Sequence, residues 1–287
     1  MPISLIVATL GRVAELVELL ASLEAQTFRD FDVIVVDQNA DERLAWLAEE
    51  GRFRFAVTHL RSSIRHSSHA RNLGLQQARG DIIAFPDDDC TYPADLLARI
   101  DRAFREDPGL GVRTGPSAAP GGGLGSGRWR PQSGPIGCRD VWTSVIEFNM
   151  FIRRSLIQDL GGFDERLGVG SPFGSAEAND LVIRAIQAGW LCWYDVAQLA
   201  VHPDKSLTRL AVARAYTYGA GLGFAMRKNR VPAMTVATFL VRPTGGFILN
   251  LACGRLLKAR YHLQTLRGRI YGFGAYRLDN SLGPGRR

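Results

Sequence analysis

The chain has 287 residues and a mass of 31.5 kDa, with 46% hydrophobic residues and a net charge of +7 at neutral pH. That size fits one large domain or one domain with an appended element, and the apolar content excludes a disordered chain. Four scattered cysteines (Cys90, Cys138, Cys192 and Cys253) make no Cys-x-x-Cys pair. Their scatter excludes a disulfide framework or a thiolate zinc site and points to reduced thiols in the cytosol.

The charge is unevenly spread. Residues 1–200 carry 20 Lys and Arg against 26 Asp and Glu, whereas residues 201–287 carry 15 against 2. A basic tail on an acidic body suggests an anionic partner surface. Nucleic acid is disfavoured because no recognition motif accompanies the charge.

In chain order, Ile3–Ala8 is an apolar β-run and reads as a first strand rather than a signal peptide. The turn Thr9 to Arg12 leads to a helical pattern that puts Val13, Leu16, Val17, Leu20 and Leu23 on one face. Asp32–Asp37 is a second buried strand ending on an acid, and Gln38–Asp41 is expected to open a helix. Arg54–Leu60 reads as a third strand, His69–Ala78 as a helix, and Asp81–Phe85 as a fourth strand. Strand and helix alternating in this way predict a parallel, doubly wound α/β sheet, whose ligands bind at the carboxyl ends of the strands. Thr9, Asp37 and the run Asp87-Asp88-Asp89 all fall there.

Three carboxylates at the mouth of a buried strand repel one another unless something positive sits among them. A divalent cation that also holds a diphosphate meets that need, since hard oxygen ligands suit magnesium or manganese. The alternative is a solvated turn whose last acid caps a helix beginning near Pro93.

Pro116–Gly127 is a glycine-rich loop, and Arg128-Trp129-Arg130 beyond it either clamps an anion or packs on the surface. Glu177–Arg184 has helical spacing, with Glu177 and Asp180 in its first turn, where capping competes with a role in a pocket. Asp180 pairs by spacing with Arg184, which leaves Glu177 the better placed to face a pocket. Leu191–Val201 is a last β-rich segment ending at His202, a residue that is either structural or a fourth group beside the acids.

Residues 206–229 suggest a further helix. Two apolar stretches follow, Val231–Val241 and Pro243–Gly254, parted by Arg242 and each too short to cross a bilayer. Arg255, Lys258, Arg260, Arg267 and Arg269 then interleave with Leu256, Leu257, Tyr261, Leu263 and Leu266. An amphipathic basic helix of this kind fits an anionic membrane surface. The alternative is a helical hairpin packed on the enzyme or on a second copy of the chain.

These pieces together resemble the family-2 glycosyltransferases. Ser4–Arg12 is similar to the family's opening strand and turn, and Val33–Asp37 to the strand whose terminal acid binds the nucleobase. Ala70-Arg-Asn-Leu-Gly74 with Ala78-Arg-Gly-Asp81, Asp87-Asp-Asp89 in the place of the Asp-x-Asp motif, and Gly161-Gly-Phe-Asp164 with Glu177 complete the likeness. The resemblance implies a GT-A fold over residues 1–205 with a helical extension over 206–287. It also implies inverting transfer of a sugar from a UDP- or dTDP-sugar to a hydroxyl of a glycan or lipid-linked saccharide.

The roles it implies are Thr9, Arg12, Asp37, Arg71, Asp87 and Asp88 on the nucleotide sugar, and Asp87, Asp89 and His202 on Mn2+ or Mg2+. Glu177 is the implied base, with Asp180 in reserve. The scattered cysteines and the basic tail add the expectation of a chain at the cytoplasmic face of a membrane. Two departures stand out. Asp37-Gln38-Asn39-Ala40 replaces Asp-Asp-Gly-Ser, and Ala178 occupies the second position of the usual Glu-Asp pair. The second departure keeps open a nucleotide-sugar-binding protein that has lost catalysis. A sugar-phosphate nucleotidyltransferase fits less well, because Thr9–Arg12 is too short and too poor in glycine for its loop.

Overall fold

Strand β1 (Ile3–Thr9) carries no charge, and every residue but Ala8 is buried. A run apolar on both faces is what a strand covered on both sides requires. The computed structural model describes residues 1–49, 51–204 and 206–281, which fall into two compact units. Residues 1–163 with 181–204 form the first, and residues 164–180 with 206–281 the second.

In the first unit, α1 (Ala14–Glu24) turns Leu16, Leu19, Leu20 and Leu23 inward. Val17, expected on that face, is 47% exposed, and Leu19 takes the inner position instead. β2 (Phe31–Asp37) and β4 (Ile82–Ala84) run parallel to β1 on either side, and β3 (Ala56–Arg61) runs parallel outside β2. α2 (Ser67–Leu75) precedes β4, and α3 (Leu96–Glu106) follows it. A Cβ on Gly74 would lie 2.4 Å from Ile6 Cγ2, and one on Gly80 2.5 Å from the Ser4 amide nitrogen. Both glycines let the chain press against β1, which is the physical content of the two glycine-bearing motifs around them.

The remaining strands are β5 (Leu110–Thr114), β6 (Ser117–Ala118), β7 (Gly134–Pro135), β8 (Met150–Arg153), β9 (Leu191–Tyr194) and β10 (Ala200–Val201). Helices α4 (Arg154–Asp159) and α5 (Glu177–Gln187) lie between β8 and β9 in the sequence. The main sheet has the order β3-β2-β1-β4-β8-β5-β9-β7, and β6 pairs with β10 in a small second sheet.

Three expectations are corrected here. The sheet is mixed, because β8 runs antiparallel to both β4 and β5. Gln38–Asp41 opens no α-helix, and a 3-10 turn at Ala45–Ala48 stands in its place. Leu191–Val201 is two strands in two different sheets, and the first residues of the glycine-rich segment form β6 opposite the second of them.

In the second unit, α6 (Arg209–Lys228) and α7 (Ala233–Ala252) each pack on α8 (Leu256–Ser281). Small residues let α6 and α8 approach closely; a Cβ on Gly272 would fall 1.9 Å from the Ala220 carbonyl oxygen. α7 corrects the expectation of two separate apolar stretches, since one helix of 20 residues runs through Arg242 and Pro243. A proline inside a helix leaves the carbonyl four residues earlier without its amide. That carbonyl belongs to Phe239, and Arg269 on α8 donates to it while lying over the Phe239 ring. Burial of Arg269 lowers its guanidinium to about 10. No helix among the described residues is long and apolar enough to cross a membrane.

Candidate active site

The acid run begins three residues beyond β4. Asp87 closes a turn by accepting from the Cys90 amide at 3.1 Å, and Asp88 and Asp89 lie within that turn. Thr91 then pairs antiparallel with Val201, each amide donating to the other's carbonyl at 2.9 Å. This short ladder places His202 against the acids. His202 Nε2 stands 3.2 Å from Asp89 Oδ1 and 3.9 Å from Asp87 Oδ2. Its ring stacks on Phe148 at 4.7 Å, and its Nδ1 lies 2.7 Å from the Pro203 carbonyl oxygen. The second contact suits an Nδ1–H tautomer, which leaves Nε2 as the electron-pair donor.

Basic groups surround the run. Arg12 Nη1 reaches Asp88 Oδ1 at 2.6 Å and Asp89 Oδ2 at 2.7 Å. Thr9 Oγ1 donates to Asp88 Oδ2 at 2.8 Å, and Arg71 Nη2 donates to Asp87 Oδ1 at 3.1 Å. Burial pushes the Asp87 carboxyl up to about 7; nearby Glu147 adds to the rise, and Arg71 and His202 oppose it. Asp88 is also raised, by burial, against the pull of Arg12 and Thr9. Asp89 moves the other way: burial would raise it, but contact with the His202 ring, then Arg12, holds it below the usual carboxylate range. His202 is raised in return, because Asp89 and then Asp87 outweigh its burial.

One oxygen, one nitrogen and one further oxygen, drawn from Asp87, Asp89 and His202, lie within 4.8 Å of one another. Asp89 Oδ1 is buried, and no donor is aligned on it despite the nearness of His202. Two carboxylates and an imidazole form a donor set that suits a divalent ion, and a buried oxygen without an aligned donor fits the same occupant. The residues therefore fit a divalent metal.

Asp37 sits one strand over, paired in register with Thr9, and is fully buried. Its Oδ1 accepts from the Asn39 amide at 2.8 Å and from Asn39 Nδ2 at 2.7 Å. Its Oδ2 lies 3.1 Å from His59 Nε2 and 3.5 Å from Arg61 Nη1. Sequence reasoning missed His59 and Arg61. The third strand as read stops at Leu60, yet alternation along it puts both on the side of Asp37, a signal that register alone reveals.

Glu177 and Asp180 belong to the second unit, both buried at the start of α5. The residue before Glu177, Ala176, has φ +70°, a left-handed conformation that a non-glycine residue adopts at a cost. The loop before it is tied to α6: the Gly174 amide donates to the Thr217 carbonyl at 3.0 Å, and Ser175 Oγ to the Tyr218 carbonyl at 2.7 Å. Sequence spacing pairs Asp180 with Arg184. In the structure Asp180 takes Lys228 Nζ at 2.8 Å and Asn229 Nδ2 at 2.8 Å, while Arg184 donates to the Leu160 and Gly162 carbonyls. Lys228 also holds Asp164, the acid of the Gly-Gly-Phe-Asp motif, at 2.6 Å.

Thus the first unit brings together Thr9, Arg12, Arg71, Asp87, Asp88, Asp89 and His202, with Asp37 on the neighbouring strand. A profile of the family described as Glycosyl transferase family 2 matches residues 4–160, more than half of the chain. The chain belongs to that family, and its fold is the GT-A fold that the motifs imply.

It is 31% identical over 109 residues to an uncharacterized glycosyltransferase of Haemophilus influenzae, a stretch covering 38% of this chain and 36% of that one. It is 26% identical over 185 residues to the glucosyl-dolichyl phosphate glucuronosyltransferase of Haloferax volcanii, covering 58% of each. The chain thus spans less than two thirds of the length of these curated relatives. Among solved structures, the mannosyltransferase PcManGT from Pyrobaculum calidifontis, in complex with GDP-Man and Mn2+, superposes with a TM-score of 0.64 at 18% identity. The superposition covers 97% of this chain and 87% of that one.

Proposed function

We propose that this chain is a metal-dependent, inverting glycosyltransferase. It moves a sugar from a UDP- or dTDP-sugar to a hydroxyl of a glycan or lipid-linked saccharide at the cytoplasmic face of a membrane. The observation that carries this reading is the convergence of Asp87, Asp89 and His202 at the carboxyl end of the sheet, ringed by Arg12 and Arg71. The GDP-Man and Mn2+ held by the Pyrobaculum calidifontis mannosyltransferase of the same fold support it.

Asp87, Asp89 and His202 hold the divalent ion, which when bound neutralises the leaving diphosphate. Arg12 orients Asp88 and Asp89, and Thr9 fixes the second oxygen of Asp88, so these carboxylates meet the donor in one geometry. Asp37 grips the nucleobase, and Arg71 joins it on the nucleoside, with Asp87 and Asp88 near the ribose. Glu177 accepts the proton of the attacking acceptor hydroxyl. The new bond joins that oxygen to the anomeric carbon, the bond from that carbon to the diphosphate oxygen breaks, and its electron pair leaves with the nucleotide. One displacement inverts the anomeric configuration. Asp180, engaged by Lys228 and Asn229, is assigned to holding α5 in place.

The test is calorimetric titration of UDP and dTDP, with and without manganese, into wild type and Asp89→Ala. Metal-dependent binding lost in Asp89→Ala supports the donor site; no binding of either nucleotide overturns it. Glu177→Ala then separates enzyme from inactive binder. Donor binding with no turnover in either wild type or variant favours the binder that Ala178 leaves open, whereas turnover lost only in Glu177→Ala favours the enzyme.

A further inference from the structure

We infer that α7 and the turn into α8 form a membrane-docking face, in which α7 lies in the plane of an anionic phospholipid surface and a neighbouring arginine groove takes headgroup phosphates. The inference deepens the reading of a membrane-facing enzyme and is independent of the donor site.

The first observation is the exposure of α7. Of its 20 residues only Pro243 and Asn250 are buried. Met234, Val241 and Ile248 recur every seven residues on one stripe and are 80%, 68% and 61% exposed. Leu249 and Leu251, and Leu256 and Leu257 just beyond the turn, extend the apolar surface. An exposed apolar stretch of this length marks an interaction site rather than ordinary surface.

The second observation is how α7 treats its polar groups. Thr238 and Thr244 donate to the carbonyls of Met234 and Leu240 at 3.0 and 2.8 Å, and Asn250 donates to that of Gly246 at 2.7 Å. With Arg269 on the Phe239 carbonyl, the break at Pro243 is closed as well. A helix that satisfies its own polar groups loses little on leaving water. The one charge on α7 is Arg242, whose long stem lets the guanidinium stay at headgroup level.

The third observation selects the partner. No acid occurs between Asp204 and Asp279, while Arg242, Arg255, Lys258, Arg260 and Arg267 are all exposed. Beside the α7–α8 turn, Arg209 and Arg260 share a groove of about 460 Å³ with Val212, Ala213, Leu257 and Gln264. Two guanidiniums over aliphatic walls match a phosphate ester carrying acyl chains, and the absence of acids from this stretch of sequence favours an anionic leaflet over a protein surface. No described helix is long and apolar enough to cross a membrane, and the exposed apolar stripe of α7 suits a helix lying along the interface.

The experiment is co-sedimentation of the full chain with vesicles of phosphatidylcholine alone or with about a third phosphatidylglycerol. The expected result is binding to the anionic vesicles that falls with salt. Ile248→Glu/Leu249→Glu should weaken it at least about tenfold, and Arg209→Gln/Arg260→Gln about fivefold per arginine. If the Ile248→Glu/Leu249→Glu protein loses helical circular dichroism, Met234→Glu at the most exposed position is read in its place. A wild type that stays in the supernatant with anionic vesicles overturns the inference. So does an apolar variant that binds like wild type, or a dimer by light scattering that the variant dissolves. Manganese-dependent UDP binding is measured in the same samples and stays unchanged, so failure here is distinguishable from failure of the donor site.

Discussion

Lys228 donates to Asp180 across 48 residues of sequence, and the same ammonium holds Asp164 at 2.6 Å. One cation therefore ties Asp164 and the first turn of α5 to the end of α6. Replacing it with methionine removes one partner from each acid, while Asp180 keeps Asn229 and Asp164 keeps Arg166, and losing a hydrogen bond to a charged group costs about 1.5–3 kcal/mol. Lys228→Met is expected to lower the urea unfolding midpoint by a corresponding amount. Donor affinity should hold while turnover falls, since Glu177 lies three residues before Asp180. Turnover equal to wild type would separate the network from the position of the base.

The same network sets a pH dependence. Burial would raise the Asp164 carboxyl, but Arg166 and then Lys228 hold it well below its ordinary value. A carboxylate depressed in the folded state adds stability that is present above its unfolded value, near 3.9, and is lost as pH falls through the folded one. Melting temperature should therefore drop steeply below about pH 4 in wild type. In Lys228→Met the drop should be shallower, because part of that stability is already missing at neutral pH. Parallel curves would show that Arg166 alone accounts for the effect.

What the sequence makes legible is what is local. Ile3–Thr9, Phe31–Asp37 and the acid run announce themselves within a few residues, and so does the glycine spacing around Arg71. Partners set by strand register or distant packing do not. His59 and Arg61 reach Asp37 only because β3 lies parallel against β2. The antiparallel β8 was hidden because a four-residue strand, Met150–Arg153, carries no sign of its direction. Arg242 and Pro243 read as a break between two stretches, but α7 runs through them, and the repair comes from Arg269, thirty residues beyond the Phe239 carbonyl that it caps. The basic residues of α8 suggest a membrane surface in the sequence, while the exposed large apolar residues are shared between α7 and α8.

Arg12 bridges Asp88 and Asp89 with a single nitrogen, at 2.6 and 2.7 Å. It lies in the turn after β1 and orders two acids that otherwise repel. Loss of a hydrogen bond to a charged group costs about 1.5–3 kcal/mol, so Arg12→Ala should weaken manganese-dependent UDP binding by about 10- to 100-fold. Arg12→Lys should recover only part of this, since the ammonium sits nearer the backbone than Nη1 and cannot approach both acids as closely. Calorimetry on both variants checks the point, and full recovery in Arg12→Lys would reduce the role of Arg12 to charge alone.

His59 lies 3.1 Å from Asp37 Oδ2, and Asn39 occupies the other oxygen, so the carboxylate is oriented from both sides. If Asp37 holds the base, His59→Ala loosens that orientation without touching the acids at the end of β4. The expected loss is about 1 kcal/mol, or roughly fivefold, in UDP affinity. Affinity for pyrophosphate with manganese should stay at the wild-type value, because the diphosphate is held elsewhere. Arg61→Ala should act in the same direction but less, its contact being longer at 3.5 Å and its guanidinium partly solvated. Equal losses for UDP and pyrophosphate would place the Asp37 cluster away from the base and return it to the role of a buried strand-end network.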